Sequence, residues 1–253
     1  MFKSAKKIVF ALVVGAFLVA CSSGSHEGKE KSVAIGVNAT YPPFEYIEDA
    51  KYKGYDIDLM DEIAKRADFK FQWVNMSYDG LIPALKTGKV DLTISSMNIT
   101  PDRLKSVDFS HPYFVDQNVF IKRKDSDDIT TLESLKGKKI GSYLGTQQEE
   151  RAMEVAKQVG GTEVSFKDVL GAVLSLNTNK IDAVVTDGAT ATNYLKQYPN
   201  LVRFYTENSA GEGFGIAADK GKHKELMERI NKAIDSMKED GTLESLAKKY
   251  GLK

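Results

Sequence analysis

The strongest constraint on this chain is a unit that recurs along it: a short apolar strand, a turn, then a helix. Val33-Ala34-Ile35-Gly36-Val37 is apolar and rich in β-branched residues, and it reads as a buried strand. Gly54-Tyr55-Asp56-Ile57-Asp58-Leu59 opens a helix whose apolar positions Ile57, Met60, Ile63, Ala64 and Ala67 keep helical spacing. Phe69 to Val74 alternates as a strand, Tyr78 to Leu85 begins a short helix ending near Gly88, and Val90 to Ile94 alternates as a half-buried strand. This order predicts an α/β fold.

The pattern then breaks and restarts. Phe109 to Phe120 is aromatic and strand-like, interrupted by Pro112, and suits a crossing to a second lobe. After the polar break Asp125-Ser126-Asp127-Asp128, Lys139 to Tyr143 reads as a strand, and Thr146 through Glu149 has capping-box spacing for the next helix. Thr162 to Phe166 is a strand, Val169 to Leu176 a helix, and Ile181 to Thr186 a buried strand delivering Asp187-Gly188. Leu201 to Thr206 is strand-like, and the glycine-rich Gly211 to Gly215 suits a return crossing. A last strand at Phe214 to Ala218 precedes an amphipathic helix over Lys224 to Met237 and another after Gly241-Thr242. Two α/β lobes are the economical reading.

Chemistry-bearing residues gather at the ends of these strands, where α/β sheets place ligands. In Ser95-Ser96-Met97-Asn98-Ile99-Thr100-Pro101-Asp102-Arg103, a strand end becomes a polar turn, and Thr100 followed by Pro101 marks a helix start. A helix N-terminus favours an anion, and a guanidinium holds a carboxylate through two parallel hydrogen bonds. Arg103 thus reads either as half of an anion site or as a surface cation paired with Asp102. The loop Asn38-Ala39-Thr40-Tyr41-Pro42-Pro43-Phe44-Glu45 is rigid, and its Asn38 and Tyr41 either line a crevice or cap a core. Thr146 is an ordinary helix cap or a second anion site. Asp187 caps the helix after it or offers its carboxylate to an ammonium.

The N-terminus carries an export signal. Lys3, Lys6 and Lys7 precede the uncharged run Ile8 to Ala20, which is of signal-peptide length and short for a transmembrane helix. It ends in Leu18-Val19-Ala20-Cys21, similar to the lipobox of bacterial lipoproteins, in which the cysteine becomes the lipidated first residue. Cys21 is the only cysteine, so the remaining chain has no disulfide and no thiol nucleophile; an inert buried thiol is the alternative. Residues 21–31 are small, polar and charged, as in a flexible tether. Loss of residues 1–20 takes the formal charge from 0 to −3, and no basic face points to nucleic acid.

Taken together, Tyr41-Pro42-Pro43-Phe44-Glu45, Gly54 to Leu59, Leu81-Ile82-Pro83, Ile99 to Arg103, Leu135 to Lys138, Gly145-Thr146, Ile181-Asp182-Ala183 with Asp187, and Asp240-Gly241-Thr242 resemble the polar amino-acid family of solute-binding proteins serving bacterial ABC importers. The resemblance runs from Val33 to Tyr250. It implies two lobes joined by two crossing strands: residues 32–115 with 208–253, and residues 116–207. It implies that Arg103 clamps the α-carboxylate of an amino acid, with donors from the Asn98 turn and Thr146. Asp187 and an oxygen of Ser96 would take the α-ammonium, and Asn38, Tyr41, Tyr78, Ser95 and Gln147 would surround the side chain. Lobe closure would carry the cargo to a permease, and the protein is expected to be monomeric, without cofactor or metal, and lipid-anchored outside the cytoplasm.

Paired serines before the turn resemble binders of arginine, lysine and histidine, whereas Asn38, where many relatives carry aspartate, fits glutamine. A basic amino acid is the expected ligand and glutamine the alternative. Two readings of another class remain: an exported dehydratase-like enzyme, and an adhesin on the same scaffold. The enzyme needs a tuned general acid in the cleft. No G-x-S-x-G, C-x-x-C, H-E-x-x-H or Walker-type glycine loop occurs, and His111, beside the crossing, reads as structural.

Overall fold

A computed structural model describes residues 32–252. The leader, Cys21 and the tether expected over 21–31 lie outside the described residues.

Strand β1 (Val33–Val37) leads into a small antiparallel sheet of β2 (Thr40–Tyr41), β3 (Glu45–Glu48) and β4 (Lys51–Lys53), then into α1 (Tyr55–Arg66). The proline-rich stretch expected to be a loop is therefore part of a hairpin. Gly54 makes the entry to α1 possible: at φ 125° its Cα lies so close to the Phe44 carbonyl that an added Cβ would meet that oxygen at 2.1 Å. Next come β5 (Phe71–Asn75), a 3₁₀ turn at Tyr78–Gly80, α2 (Leu81–Thr87), β6 (Leu92–Thr93), α3 (Pro101–Leu104) and β7 (Val107–Phe109). Gly88, in the left-handed conformation, ends α2 as its position predicted.

The chain then passes to a second sheet through β8 (Gln117–Arg123). A 3₁₀ turn (Glu133–Leu135) precedes β9 (Lys139–Tyr143), α4 (Gln147–Val159), β10 (Thr162–Phe166), α5 (Val169–Asn177), β11 (Ala183–Asp187), α6 (Gly188–Gln197) and β12 (Leu201–Asn208). It returns to the first sheet with β13 (Ala217–Asp219) and finishes in α7 (Lys224–Glu239) and α8 (Thr242–Lys249). The two lobes repeat one plan. The sheet orders are β5-β1-β6-β13-β7 and β10-β9-β11-β8-β12. In each, three parallel strands precede an antiparallel fourth, and that fourth strand is the one reached by crossing from the other sheet.

The stretch over Val90 to Ile94 differs from its half-buried expectation. Leu92, Thr93 and Ile94 are each fully buried, because β6 is central, between β1 and β13. Thr93 is accommodated there by donating its hydroxyl to the Gly36 carbonyl at 2.9 Å. The segments between the sheets are pinned to the first lobe. Phe214 N–H donates to the Phe114 carbonyl at 2.7 Å, and Tyr113 N–H donates to the Phe214 carbonyl at 2.9 Å. Ile99 N–H reaches the Gly213 carbonyl at 2.8 Å, so the return segment also pairs with the turn before α3. Phe214 is wholly buried and meets Phe44 and Phe114 with ring centroids 5.3 and 5.8 Å away. His111 binds Asp235 on α7 through Nδ1 at 3.0 Å, and its N–H donates to Asn231.

Candidate functional site

The carboxyl ends of β1, β6, β9 and β11 face one another between the lobes. Asp187 ends β11 and occupies the N-cap position of α6, yet its side chain does not cap that helix. Its Oδ2 instead accepts the Tyr41 hydroxyl from the other lobe at 2.6 Å, and Oδ1 accepts Gln148 Nε2 at 2.7 Å. Tyr41 also meets the Thr186 hydroxyl at 3.0 Å. Burial pushes the Asp187 carboxyl up to about 8, with the Asp116 charge adding to the rise; the Tyr41 and Gln148 hydrogen bonds and the Arg103 charge oppose it. Burial beside this carboxylate likewise holds the Tyr41 phenol well above its ordinary range.

Arg103 stands at the rim. Thr100 caps α3 by accepting Arg103 N–H at 3.3 Å, with Pro101 at the first helical position, as the sequence predicted. The guanidinium is not paired with Asp102, which binds Lys105. It donates to the Asn98 carbonyl at 2.9 Å and, across the lobes, to the Gly145 carbonyl at 3.0 Å, and it lies 5.8 Å from the Tyr78 ring centre. Among the described residues Arg103 makes no ion pair, so a cation is held at the lobe interface by neutral acceptors alone.

The remaining predicted residues distribute unevenly. Ser95 and Ser96 both donate their hydroxyls to Glu45, at 2.8 and 3.0 Å. Ser96 adopts a positive φ of 48°, a conformation a serine takes only when its surroundings impose it, and its N–H donates to Asp56 at 2.7 Å. Asn38, at the end of β1, accepts the Tyr143 hydroxyl at 2.7 Å and the Thr40 hydroxyl at 2.5 Å through Oδ1, while Nδ2 donates to the Met76 carbonyl. Thr146 accepts Glu149 N–H at 3.2 Å and donates its hydroxyl to the Tyr143 carbonyl. Glu149, the third residue of the capping box, reaches back to Gly145 N–H instead of the Thr146 N–H.

Tyr41, Tyr78, Ser95, Ser96, Thr146 and Asp187 meet around one small space of about 10 Å³, and Glu45, Tyr143 and Gln148 complete its wall. Gln147 faces elsewhere. Its amide nitrogen donates to Ser209 and, at 3.3 Å, to Asn118, and its oxygen accepts Ala210 N–H. Ser209 passes the connection to Asn98 Oδ1 at 3.2 Å, so Gln147 and Asn98 meet along the return segment. Sequence reasoning missed Glu45, Tyr143 and Gln148. Tyr143 had a usable signal, since it ends a predicted strand as Val37 does. Among the described residues, no group of His, Cys, Asp and Glu is placed to hold a metal ion, and no helix is long and apolar enough to cross a membrane.

Comparison with known proteins agrees with this architecture. Residues 33–253 match the family model of bacterial extracellular solute-binding proteins, family 3. A Campylobacter jejuni protein named "Probable histidine-binding protein" is 44% identical, covering 98% of this chain and 99% of its own. Among solved structures, an ancestral arginine-binding protein bound to arginine superposes with a TM-score of 0.82 at 42% identity, over 87% of this chain and 97% of that one. The structure of an ancestral arginine-binding protein bound to glutamine gives 0.80 at 41% identity, with the same coverage. These relatives are named for binding, not for catalysis.

Proposed function

The chain belongs to the family 3 bacterial extracellular solute-binding proteins, and on that premise we propose that it captures a free L-amino acid, preferably a basic one, between its lobes and delivers it to an ABC permease. One observation carries the reading: a cation, Arg103, and a buried acid, Asp187, stand at a single cleft, neither of them in an ion pair among the described residues. A zwitterion supplies both missing charges. Arg103 takes the α-carboxylate, aided by donors of the Asn98 turn and of the α4 start at Thr146. Asp187, with the Ser96 hydroxyl, takes the α-ammonium, and its carboxyl ionises as the incoming cation offsets the cost of burial.

The space between the lobes, about 10 Å³, admits little more than one water, so an amino acid enters only as the lobes separate. Residues 110–116 and 209–216 are the hinge. Bound ligand adds contacts to both lobes at once, and this difference in contact is what shifts the population toward closure. Tyr41, Tyr78 and Tyr143 offer ring faces to a guanidinium or ammonium, while Asn38 and Ser95 complete the surroundings and Gln147 stands outside them, tied to Ser209. The resemblance to relatives bound to arginine supports the basic ligand. Glutamine is the second reading, favoured by the uncharged Asn38 and by the related structure bound to glutamine. Cys21, lipidated after cleavage, anchors the protein outside the cytoplasm.

The test is calorimetric titration of the protein, unfolded and refolded to remove carried-over ligand, with the twenty amino acids beside Arg103→Ala. Arginine, lysine or histidine binds, and the variant loses roughly 100-fold or more, as expected when a desolvated charge pair is broken. Binding of none of the twenty sinks the reading.

A further inference from the structure

We infer that Glu45, sharing a single proton with Asp56, supplies the negative charge that the cleft offers to the cationic end of the ligand's side chain. The inference rests on the amino-acid-binding reading above and names the residue that would make that site select a cation.

Glu45 begins β3, is 1% exposed, and forms part of the wall of the space between the lobes. Its two oxygens accept the hydroxyls of Ser95 and Ser96. Ser95 in turn accepts Asn38 N–H at 3.1 Å, which commits its hydroxyl proton to Glu45. Asp56 of α1, fully buried, meets the same serine: Ser96 gives its hydroxyl to Glu45 at 3.0 Å and its N–H to Asp56 at 2.7 Å. Asp56 Oδ2 accepts Ser96 N–H and, at 2.8 Å, the Tyr113 hydroxyl, but Oδ1 has no protein partner among the described residues. Two dry, ionised carboxyls held on one serine repel strongly, whereas one proton shared between them removes half the charge and satisfies the orphaned Oδ1. Burial drives both groups up in support of this, Asp56 to about 7.

The remaining charge has no counter-ion. Among the described residues neither Glu45 nor Asp56 makes an ion pair. The titratable groups facing them are Tyr55 on α1, Tyr113 on the crossing segment, Tyr78 beside the cleft, and Tyr143 and Asp187 on the other lobe. Arg103 stands beside Tyr78, and its donors reach the Asn98 and Gly145 carbonyls. A single buried negative charge thus opens on a space walled by three tyrosine rings, an arrangement that favours a guanidinium or ammonium. The Asn38 oxygen, the other candidate, already accepts two hydroxyls.

Acid adds a second proton to the pair and cancels the charge, so affinity for arginine falls relative to glutamine as pH drops. Asp187 titrates as well, but it faces the α-ammonium common to both ligands, and its effect divides out of the ratio. The experiment titrates the protein, Glu45→Gln and Asp56→Asn with arginine and with glutamine from about pH 8 down to about pH 5. Glu45→Gln is expected to lose arginine affinity by roughly 30-fold or more while glutamine stays within about 3-fold. Asp56→Asn, whose amide replaces the shared proton as donor to Glu45, is expected to keep arginine affinity and lose the decline in acid. Unchanged arginine binding by Glu45→Gln, equal loss of both ligands, or an arginine-to-glutamine ratio independent of pH in the native protein overturns the inference. Those outcomes leave amino-acid binding standing, whereas a native protein that binds no amino acid removes both.

Discussion

The two lobes share a strand order but not a way of building a site. In the second lobe, β9 and β11 each run directly into a helix, and the functional groups sit at those junctions: Thr146 before α4 and Asp187 before α6. In the first lobe, β1 runs into the β2–β4 hairpin sheet and β6 into a turn with Ser96 at positive φ, and beneath both lies the buried acid pair of Glu45 and Asp56. One lobe obtains its polarity from helix starts, whose unsatisfied N–H groups come with the backbone. The other obtains it from side chains held against desolvation, a cost the second lobe's junctions meet only at Asp187. The second strategy costs stability, and it allows the charge of the pocket to be set residue by residue.

The largest effect expected from this contrast is on binding. Asp187→Asn should weaken amino-acid affinity roughly 100-fold or more in calorimetry, since it removes a charge facing an ammonium. Ser96→Ala, at the corresponding strand end of the first lobe, should cost only about 10-fold, the scale of one hydrogen bond without loss of a charge. Equal losses would erase the distinction. Core truncation comes next. Phe214→Ala and Phe120→Ala each remove a wholly buried ring, for about 3–5 kcal/mol, or roughly 2–4 °C of Tm per kcal/mol. Phe214 joins the crossing segments to the first lobe, so its loss should also weaken binding, whereas Phe120→Ala should leave affinity within about 3-fold.

Stability against pH offers a smaller but sharper test. Asp187 protonates at about 8 in the folded protein against an ordinary 3.8, and Asp56 at about 7. Between those limits the native state binds more protons than the unfolded chain, so stability without ligand falls as pH rises from about 4 to about 8. Asp187→Asn should flatten the upper part of that decline in thermal melts. A Tm that rises across the window would contradict the burial of these acids. Smallest is a glycine pair at matching register: Gly36 opposite Thr93, and Gly141 opposite Val184. An alanine Cβ would lie 3.1 Å from Leu81 at the first and 2.5 Å from Ile181 at the second. Gly141→Ala should cost about 1–3 kcal/mol and Gly36→Ala less; the reverse order would mean that the second lobe packs more loosely than its contacts imply.

Local order in the chain made most of the architecture legible. The apolar run of β1, the helical spacing of α1, the Thr100-Pro101 start of α3 and the Gly88 stop of α2 are all short-range signals. The β2–β4 sheet escaped because its two prolines and paired aromatics look like a rigid loop, and the pairing of Tyr41 with Glu45 is visible only in register. In the site, Glu45 was illegible because its partners, Ser95 and Ser96, lie 50 and 51 residues away. Gln147 and Gln148 are chemically identical in the sequence. Their roughly 100° separation around α4 turns Gln148 to Asp187 and Gln147 to Ser209, and only the tertiary placement of the helix decides which is which.

The Gln147–Ser209–Asn98 chain also has a bearing on timing. Its hydrogen bonds join α4, the return segment and the turn before α3 without passing through the space where an amino acid would sit. Contacts of that kind hold the lobes together equally for every cargo, so they do not choose among ligands. On the proposed closure around an amino acid, they lengthen the interval between closing and reopening, and with it the dwell of whatever is enclosed. A transporter fed by such a protein would receive its grip on any amino acid from Asp187 and Arg103, its selectivity from the acid pair, and its tempo from a serine that touches none of them.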